Sequence, residues 1–571
     1  MAESGTSITP EPQDDLVSVI GRGVVSPVLH DPNRRKEMGL PEREDELGRY
    51  MIELNIQYRG GLKAASRAFE ALCKDVLGPD YAETRQPVGI SKSYVQILLS
   101  VNDWGKLLKK DNDQARDAAT NQGRVGHNDQ RVIYKLWPDF KVKVLIDRSV
   151  GTVKADAAFR SYSATGAGIT WAVVDSGIDP THLHFGSWED PMSSTIYHPQ
   201  VVELHRDFTP DAEVKFSDQG VDAPGASELD PVKREKHVKA ILDDKLGHGT
   251  HVAGIIAGRL PSDAVQWPQV VGPSAPVSGP SPKAKAHQYA VFEQAFEADP
   301  EGQRKWTDKK PVARDVRRPD AMHGVAPECL LVSLKVIGKD GEGRVSDIMR
   351  ALVYIREDLN DDPKMLRVHG VNLSVGYDFD AQMFACGQSP LCVEVDRLVK
   401  SGVAVVVAAG NTGYGNVSAS ERPTKVGLSN TINDPGNAAL AITVGSTHRE
   451  APHTYGVSFF SSKGPTGDGR LKPDLVAPGE RITSCAAAAK KKELGILVDN
   501  GVAVYVDDSG TSMAAPHVSG AIAAFLSIRR EFIQRPEEVK RIFLESATSL
   551  GRERYFEGHG LLDLMRAIQS V

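Results

Sequence analysis

The apolar positions of this chain change their period several times, and each change predicts an element. YMIELNIQ from Tyr50 and YVQILLSV from Tyr94 read as strands, and GLKAASRAFEALCKDVL between them repeats apolar residues at helical spacing. This predicts a β-α-β unit. A second helix is expected from Trp104 to Lys110, and a closing strand pair at VIYKLW and FKVKVLID. Together they predict a small α+β domain over residues 47–150.

Further along, ITWAVVD, LLVSLKVI, VNLSVG, VAVVVAAG and AITVGS are short apolar runs of the kind buried on both faces of a sheet. DIMRALVYIREDL and VEVDRLVKSG lie between them with helical periodicity. The alternation predicts an α/β domain over residues 151–571, built on a doubly wound, mostly parallel sheet. Two stretches break the rhythm. Residues 186–245 are irregular, and residues 259–320 are first Pro-rich (VVGPSAPVSGPSPKAKA) and then of mixed charge, as expected of a surface insertion. Residues 1–46, rich in Pro, Glu, Asp and Arg, predict a weakly ordered arm.

Composition narrows the function classes. A chain of 571 residues with 40% hydrophobic and 25% charged residues is a globular protein with room for two folding units. Its net charge of -7 comes with no basic stripe, so no nucleic-acid partner is expected, and the Arg34-Arg35-Lys36 run reads as a solvated patch. No 18 consecutive residues are apolar and MAESGTSITPEPQDD lacks the pattern of an export signal, so no membrane partner and a cytoplasmic location are expected. Cys73, Cys329, Cys386, Cys392 and Cys485 are odd in number and scattered, which predicts reduced thiols. Cys386 and Cys392 have no further ligand at metal spacing.

Three segments carry candidate chemistry. WAVVDSGIDPTH puts Asp175 at the carboxyl end of an apolar strand, where parallel sheets collect their ligands, and leaves Asp179 to cap a turn. In GHGTHVAGIIAG the glycines let a helix start tightly, with His248 at its mouth as a general base and His251 turned into packing. A zinc role for the two is poor, because zinc helices space their ligands i, i+4 and supply a third. In GTSMAAPHVSGAIAAFL, Ser512 stands where a small-residue helix begins, so helix amides face developing negative charge, and Pro516 is expected in the first turn. Each residue alone also has a plain structural reading: a turn carboxylate, a packed histidine, an N-cap serine.

Together, DSG, HGTHVAG and GTSMAAPHVSG resemble the three active-site motifs of the subtilase family, whose order Asp, His, Ser they share. HGVAPECLLVSLKVIGKDGEG, VNLSVG, VVVAAGNTG, SSKGPTGDGRLKPDLVAPG and GHGLLDL extend the resemblance over residues 151–571. It implies a sheet of the subtilisin type and a serine endopeptidase acting on protein or peptide substrates through an acyl-enzyme, with no cofactor needed for the chemistry. Ser512 becomes the nucleophile, His248 the base, Asp175 the group that orients His248, and Asn411 the side-chain donor of the oxyanion hole. Gly338, Gly341 and Gly343, with Leu373, Ser374, Val375 and Gly376, match the two segments that pair with an extended substrate, which implies broad specificity. By the same resemblance Thr412 corresponds to a residue at the edge of the pocket before the cut, which implies uncharged side chains there.

The calcium loop of many subtilases is replaced after Arg259, so structural calcium has no assigned ligands and no metal site is named. Residues 47–150 resemble, in element order only, the propeptide that inhibits such enzymes, which makes the N-terminal domain a candidate inhibitor in cis. In that case LIDRSVGTVKAD, residues 145–156, would run through the cleft and be cut. An acyl transferase using the same intermediate, or a scaffold that has lost activity, are the competing classes.

Overall fold

The structure is a computed structural model that describes residues 43–78, 85–121, 128–138, 141–144, 149, 151–212, 231–266, 287–293, 296–298, 304–306, 312–313, 322–418 without 363, 381 and 384, 423–496 and 501–571, and a few single positions before 43 and at 81. The expected arm over 1–46, much of the 259–320 stretch and residues 145–148 of the expected cleft segment fall largely or wholly outside these. The chain divides into two compact units, Met1–Phe140 and Lys141–Val571.

In the first unit, Gly48–Leu54 pairs antiparallel with Tyr94–Leu99 on one side and Ile133–Pro138 on the other, and Val88–Gly89 adds an edge. Helix Leu62–Leu77 buries Ala65, Phe69, Leu72, Cys73 and Leu77, the predicted stripe. The second helix, Val101–Thr120, continues well past the expected end at Lys110. Its stripe passes through Leu107, Asp111, Ala115 and Ala119, and the buried Asp111 carboxylate accepts Val132 N (2.8 Å) and Ile133 N (3.1 Å). A buried acid interrupts the apolar period that sequence reading follows. Arg35 is no solvated residue: it is buried, donating Nη1 to Leu29 O (2.9 Å) and Nε to Pro41 O (3.1 Å). A short polar run gives no sign of such carbonyl partners.

The second unit is built on one large sheet. Its strands lie in the order Val312–Ala313, Gln288–Glu293, Val502–Ser509, Leu475–Cys485, Ile442–His448, Ala404–Ala408, Gly370–Leu373, Thr170–Asp175, Leu330–Lys335 and Arg206–Asp207. From Leu475–Cys485 to Arg206–Asp207 every pairing is parallel, as expected, and Val502–Ser509 then runs antiparallel. Part of the interrupting stretch joins the structure: Gln288–Glu293 extends the sheet, with Tyr289 and Val291 in the main core. The irregular residues before His248 contain the helix Pro231–Leu242.

Helix Thr511–Ile528 is long and apolar enough to cross a membrane, yet it is buried from Thr511 to Leu526 as the central helix of this unit. Small residues let it approach closely: a Cβ on Gly520 would stand 2.7 Å from Val325 Cβ. Phe525 fills the space these residues leave, touching Phe532 and Phe543 at 5.6 and 5.5 Å between ring centres. Truncating such a buried ring to alanine costs about 3–5 kcal/mol.

Candidate active site

Asp175 ends its parallel strand, and the neighbouring strands end alongside it, with Leu373 in register with Val174 and Val407 in register with Leu373. Three carboxyl ends therefore deliver Asp175, Ser374 and the Gly410–Asn411 turn to one edge of the sheet.

The Asp175 carboxylate is oriented by Ser176 N, which donates to Oδ1 at 2.8 Å. The same oxygen lies 2.6 Å from His248 Nδ1, and both side chains are fully buried. With Nδ1–H donating a hydrogen bond to the carboxylate, Nε2 is the nitrogen left to act as a base. His248 opens the helix His248–Ile256 behind Gly247, whose φ of 85° suits glycine. Gly249 allows the helix to sit on the strand end, for a Cβ there would lie 2.2 Å from Gly177 O. His251 places Nε2 3.1 Å from Val506 O, and burial pushes its imidazole well below the usual range, the packing role expected of it. Asp179 accepts Thr181 N (2.8 Å) and Oγ1 (2.7 Å), which closes a turn.

Ser512 is the second residue of the central helix. Its hydroxyl donates to Ser374 O (2.9 Å), and Ser374 Oγ donates back to Ser512 O (2.6 Å). Pro516 explains the second bond. Sequence reading put it in the first turn, but it lies beyond that turn, inside the helix, and has no N–H to offer the carbonyl of Ser512 four residues earlier. That carbonyl is satisfied by Ser374 instead. Asn372 Nδ2 donates to Ser374 Oγ (2.8 Å) and Ser519 Oγ to Asn372 Oδ1 (2.9 Å), two supports that sequence reading missed.

Asn411 turns its amide in one sense. Oδ1 accepts Thr511 N (2.9 Å), while Thr511 Oγ1 accepts Gly410 N (3.1 Å). Nδ2 is left buried, with no hydrogen-bond partner among the described residues. A buried free donor beside a helix N-terminus suits an oxygen that becomes negative during reaction.

Strand Lys141–Val144 lies between two segments of the site. It pairs antiparallel with Gly343–Arg344 (Gly343 with Val142) and with Val375–Gly376 (Val375 with Val144, Gly376 with Lys143). It is the second member of the strand pair expected to close the N-terminal domain, and it belongs to this sheet instead. Gly343, Val375 and Gly376 thus meet an extended chain. Gly338 and Gly341 shape the turn before it, with Gly341 N donating to Gly338 O (3.1 Å). Leu373 is fully buried in the sheet, and Thr412 Oγ1 is engaged at 3.1 Å by Thr431 O, Asn433 Oδ1 and Ser462 Oγ. Among the described residues no group of three or more His, Cys, Asp or Glu side chains could hold a metal ion.

Comparison with known proteins gives the family of the chain. The subtilase family model matches residues 166–561. Pyrolysin of Pyrococcus furiosus is 31% identical over 354 residues, 57% of this chain but 21% of pyrolysin, so the chain spans about a fifth of that relative's length. Serine protease AprX of Bacillus subtilis is 26% identical over 72% of this chain and 68% of its own. The major intracellular serine protease of Bacillus subtilis is 32% identical over 39% of this chain and 54% of its own.

Proposed function

From the premise that this chain belongs to the subtilase family, we propose that it is a serine endopeptidase cutting peptide bonds by way of an acyl-enzyme. The observation that carries the reading is the buried 2.6 Å contact between His248 Nδ1 and Asp175 Oδ1. His248 Nε2 takes the Ser512 proton as Oγ attacks the carbonyl carbon, and Asp175 stabilises the imidazolium that forms. The carbonyl oxygen, now an oxyanion, accepts from Asn411 Nδ2. The protonated His248 then donates to the leaving amine, and water repeats the sequence on the acyl-enzyme. Chemistry in this family requires no cofactor.

Substrate recognition rests mainly on backbone pairing, for which the antiparallel partners of Lys141–Val144 are the support. Strand addition reads few side chains, so specificity is broad, with Thr412 favouring uncharged groups. The same strand supports control by the N-terminal part of the chain: residues 141–144 take the place of a substrate strand until the chain is cut after them. A cytoplasmic site of action is supported by five cysteines free of disulfides and by the likeness to the major intracellular serine protease of Bacillus subtilis.

One experiment addresses activity and control together. The wild type and Ser512→Ala are incubated with a fluorophosphonate, which reacts with activated serines, and their intact masses are compared. The expected result is an adduct and loss of the N-terminal part in the wild type alone. Equal masses with no adduct would remove the peptidase reading.

A further inference from the structure

Asp244 lies four residues before His248, outside every motif considered above, and its side chain is 2% exposed. Oδ1 accepts Ser176 Oγ (2.9 Å), Leu246 N (3.1 Å) and Gly247 N (2.7 Å). Oδ2 accepts Thr250 N (2.9 Å) and Thr250 Oγ1 (2.6 Å). These donors belong to two pieces of chain. Leu246, Gly247 and Thr250 form the entry and first turn of the His248 helix, while Ser176 directly follows Asp175.

The bond to Ser176 is reinforced, because Ser176 Oγ in turn accepts Gly249 N (2.8 Å). Thr250 Oγ1 also receives Asp179 N (2.8 Å), and Ile178 N donates to Leu242 O (2.9 Å). Gly177 fits against this segment so closely that a Cβ would lie 2.6 Å from Leu242 O. The Asp175–His248 contact thus spans two segments whose separation and tilt are set elsewhere, and Asp244 is the side chain with the most bonds across and within that junction.

We infer that Asp244 is a positioning residue for the proposed reaction: through Ser176 it fixes the His248 helix against the end of the Asp175 strand, and so sets the approach of the imidazole. Asparagine cannot replace it. Both carboxylate oxygens accept from N–H or O–H groups, and an amide must turn its NH₂ toward donors on one side or the other. Ser176 is the coupling element, since its hydroxyl links the carboxylate to the residue beside Asp175.

The test compares Asp244→Asn, Ser176→Ala and the double variant with the wild type on a peptide substrate, with active sites counted by fluorophosphonate titration so that misfolded protein is left out. Misplacement of a catalytic group by about 1 Å costs about 100-fold. Asp244→Asn is expected to lose about that much in kcat with KM unchanged, and Ser176→Ala a smaller part of it. The double variant should be no worse than Asp244→Asn, because the two act as one unit. If Asp244→Asn does not fold, Ser176→Ala carries the test. Wild-type kcat per titrated site, or a loss confined to KM, overturns the inference. The inference rests on the peptidase reading, and a wild type that takes no adduct at Ser512 overturns that reading separately.

Discussion

Ser374 and Ser512 hydrogen-bond each other twice, hydroxyl to carbonyl in each direction. The pair ties the candidate nucleophile to the end of the strand Gly370–Leu373, and the bond from Ser374 Oγ exists because Pro516 leaves the Ser512 carbonyl without a helical partner.

Ser374→Ala should therefore destabilise the protein more than loss of one hydroxyl suggests, since it strands a buried acceptor at about 1–3 kcal/mol. Adding Pro516→Ala supplies the missing N–H and should recover part of that loss. Urea unfolding of the four combinations in a Ser512→Ala background, which prevents self-digestion, measures the coupling. Additive effects would contradict this account of Pro516.

Asn411→Ala removes the free buried donor and is expected to lower kcat by about 100- to 1,000-fold, close to 3 kcal/mol of barrier, the magnitude known for removal of one oxyanion-hole donor in subtilisin. KM should change little. Steady-state kinetics decide, and an unaltered kcat would mean that Nδ2 does not meet the oxyanion.

Gly376 faces Lys143 across the strand pairing, and a Cβ at Gly376 would lie 2.7 Å from Asp434 O. Gly376→Ala must therefore move this segment and weaken backbone pairing. The expected effect is a rise in KM of about tenfold for an extended peptide, equal to 1.4 kcal/mol of binding, and little change for a single-residue ester. Equal effects on both substrates would count against strand addition.

Burial holds the imidazoles of His182 and His184 at about 3 and those of His205 and His517 at about 4, against 6.5 for an ordinary histidine. His205 also accepts Ser333 N (3.0 Å) on Nδ1 and places Nε2 2.8 Å from Ile196 O, a pairing that suits only the neutral ring. Above the ordinary value these groups are neutral in both folded and unfolded chains. As pH falls from about 6.5 to 4 the unfolded chain takes protons that the folded one excludes, and each group removes about 1.4 kcal/mol per pH unit. The urea midpoint of Ser512→Ala should accordingly be lower at pH 5 than at pH 7, and equal midpoints would refute the linkage.

The parallel strands were legible because burial on both faces leaves uninterrupted apolar runs such as AVVVA, and Asp175, His248 and Ser512 stand beside glycines that only close packing requires. Supporting residues were not. Asp244, Asn372 and Ser519 are ordinary polar letters that each have a partner far along the chain, as when Asp244 accepts from Ser176 and Ser519 reaches Asn372. Lys141–Val144 shows the same limit, for alternation predicts a strand but not the sheet it joins. Asp111 ended the second helix early on paper because its carboxylate is satisfied by distant amides.

In the control proposed above, the strand Lys141–Val144 is attached to the groove it would fill, and attachment changes the arithmetic of competition. A tethered segment with a short connection meets its groove at an effective concentration on the order of millimolar, whatever the dilution of the protein. Under that proposal, pairing too weak to retain a free peptide is enough to keep other chains out, and the block is insensitive to expression level. Severing the connection removes that advantage at a stroke. The released strand would be one dilute peptide among many, so under the proposed control a single cut makes opening effectively irreversible without altering any contact in the groove.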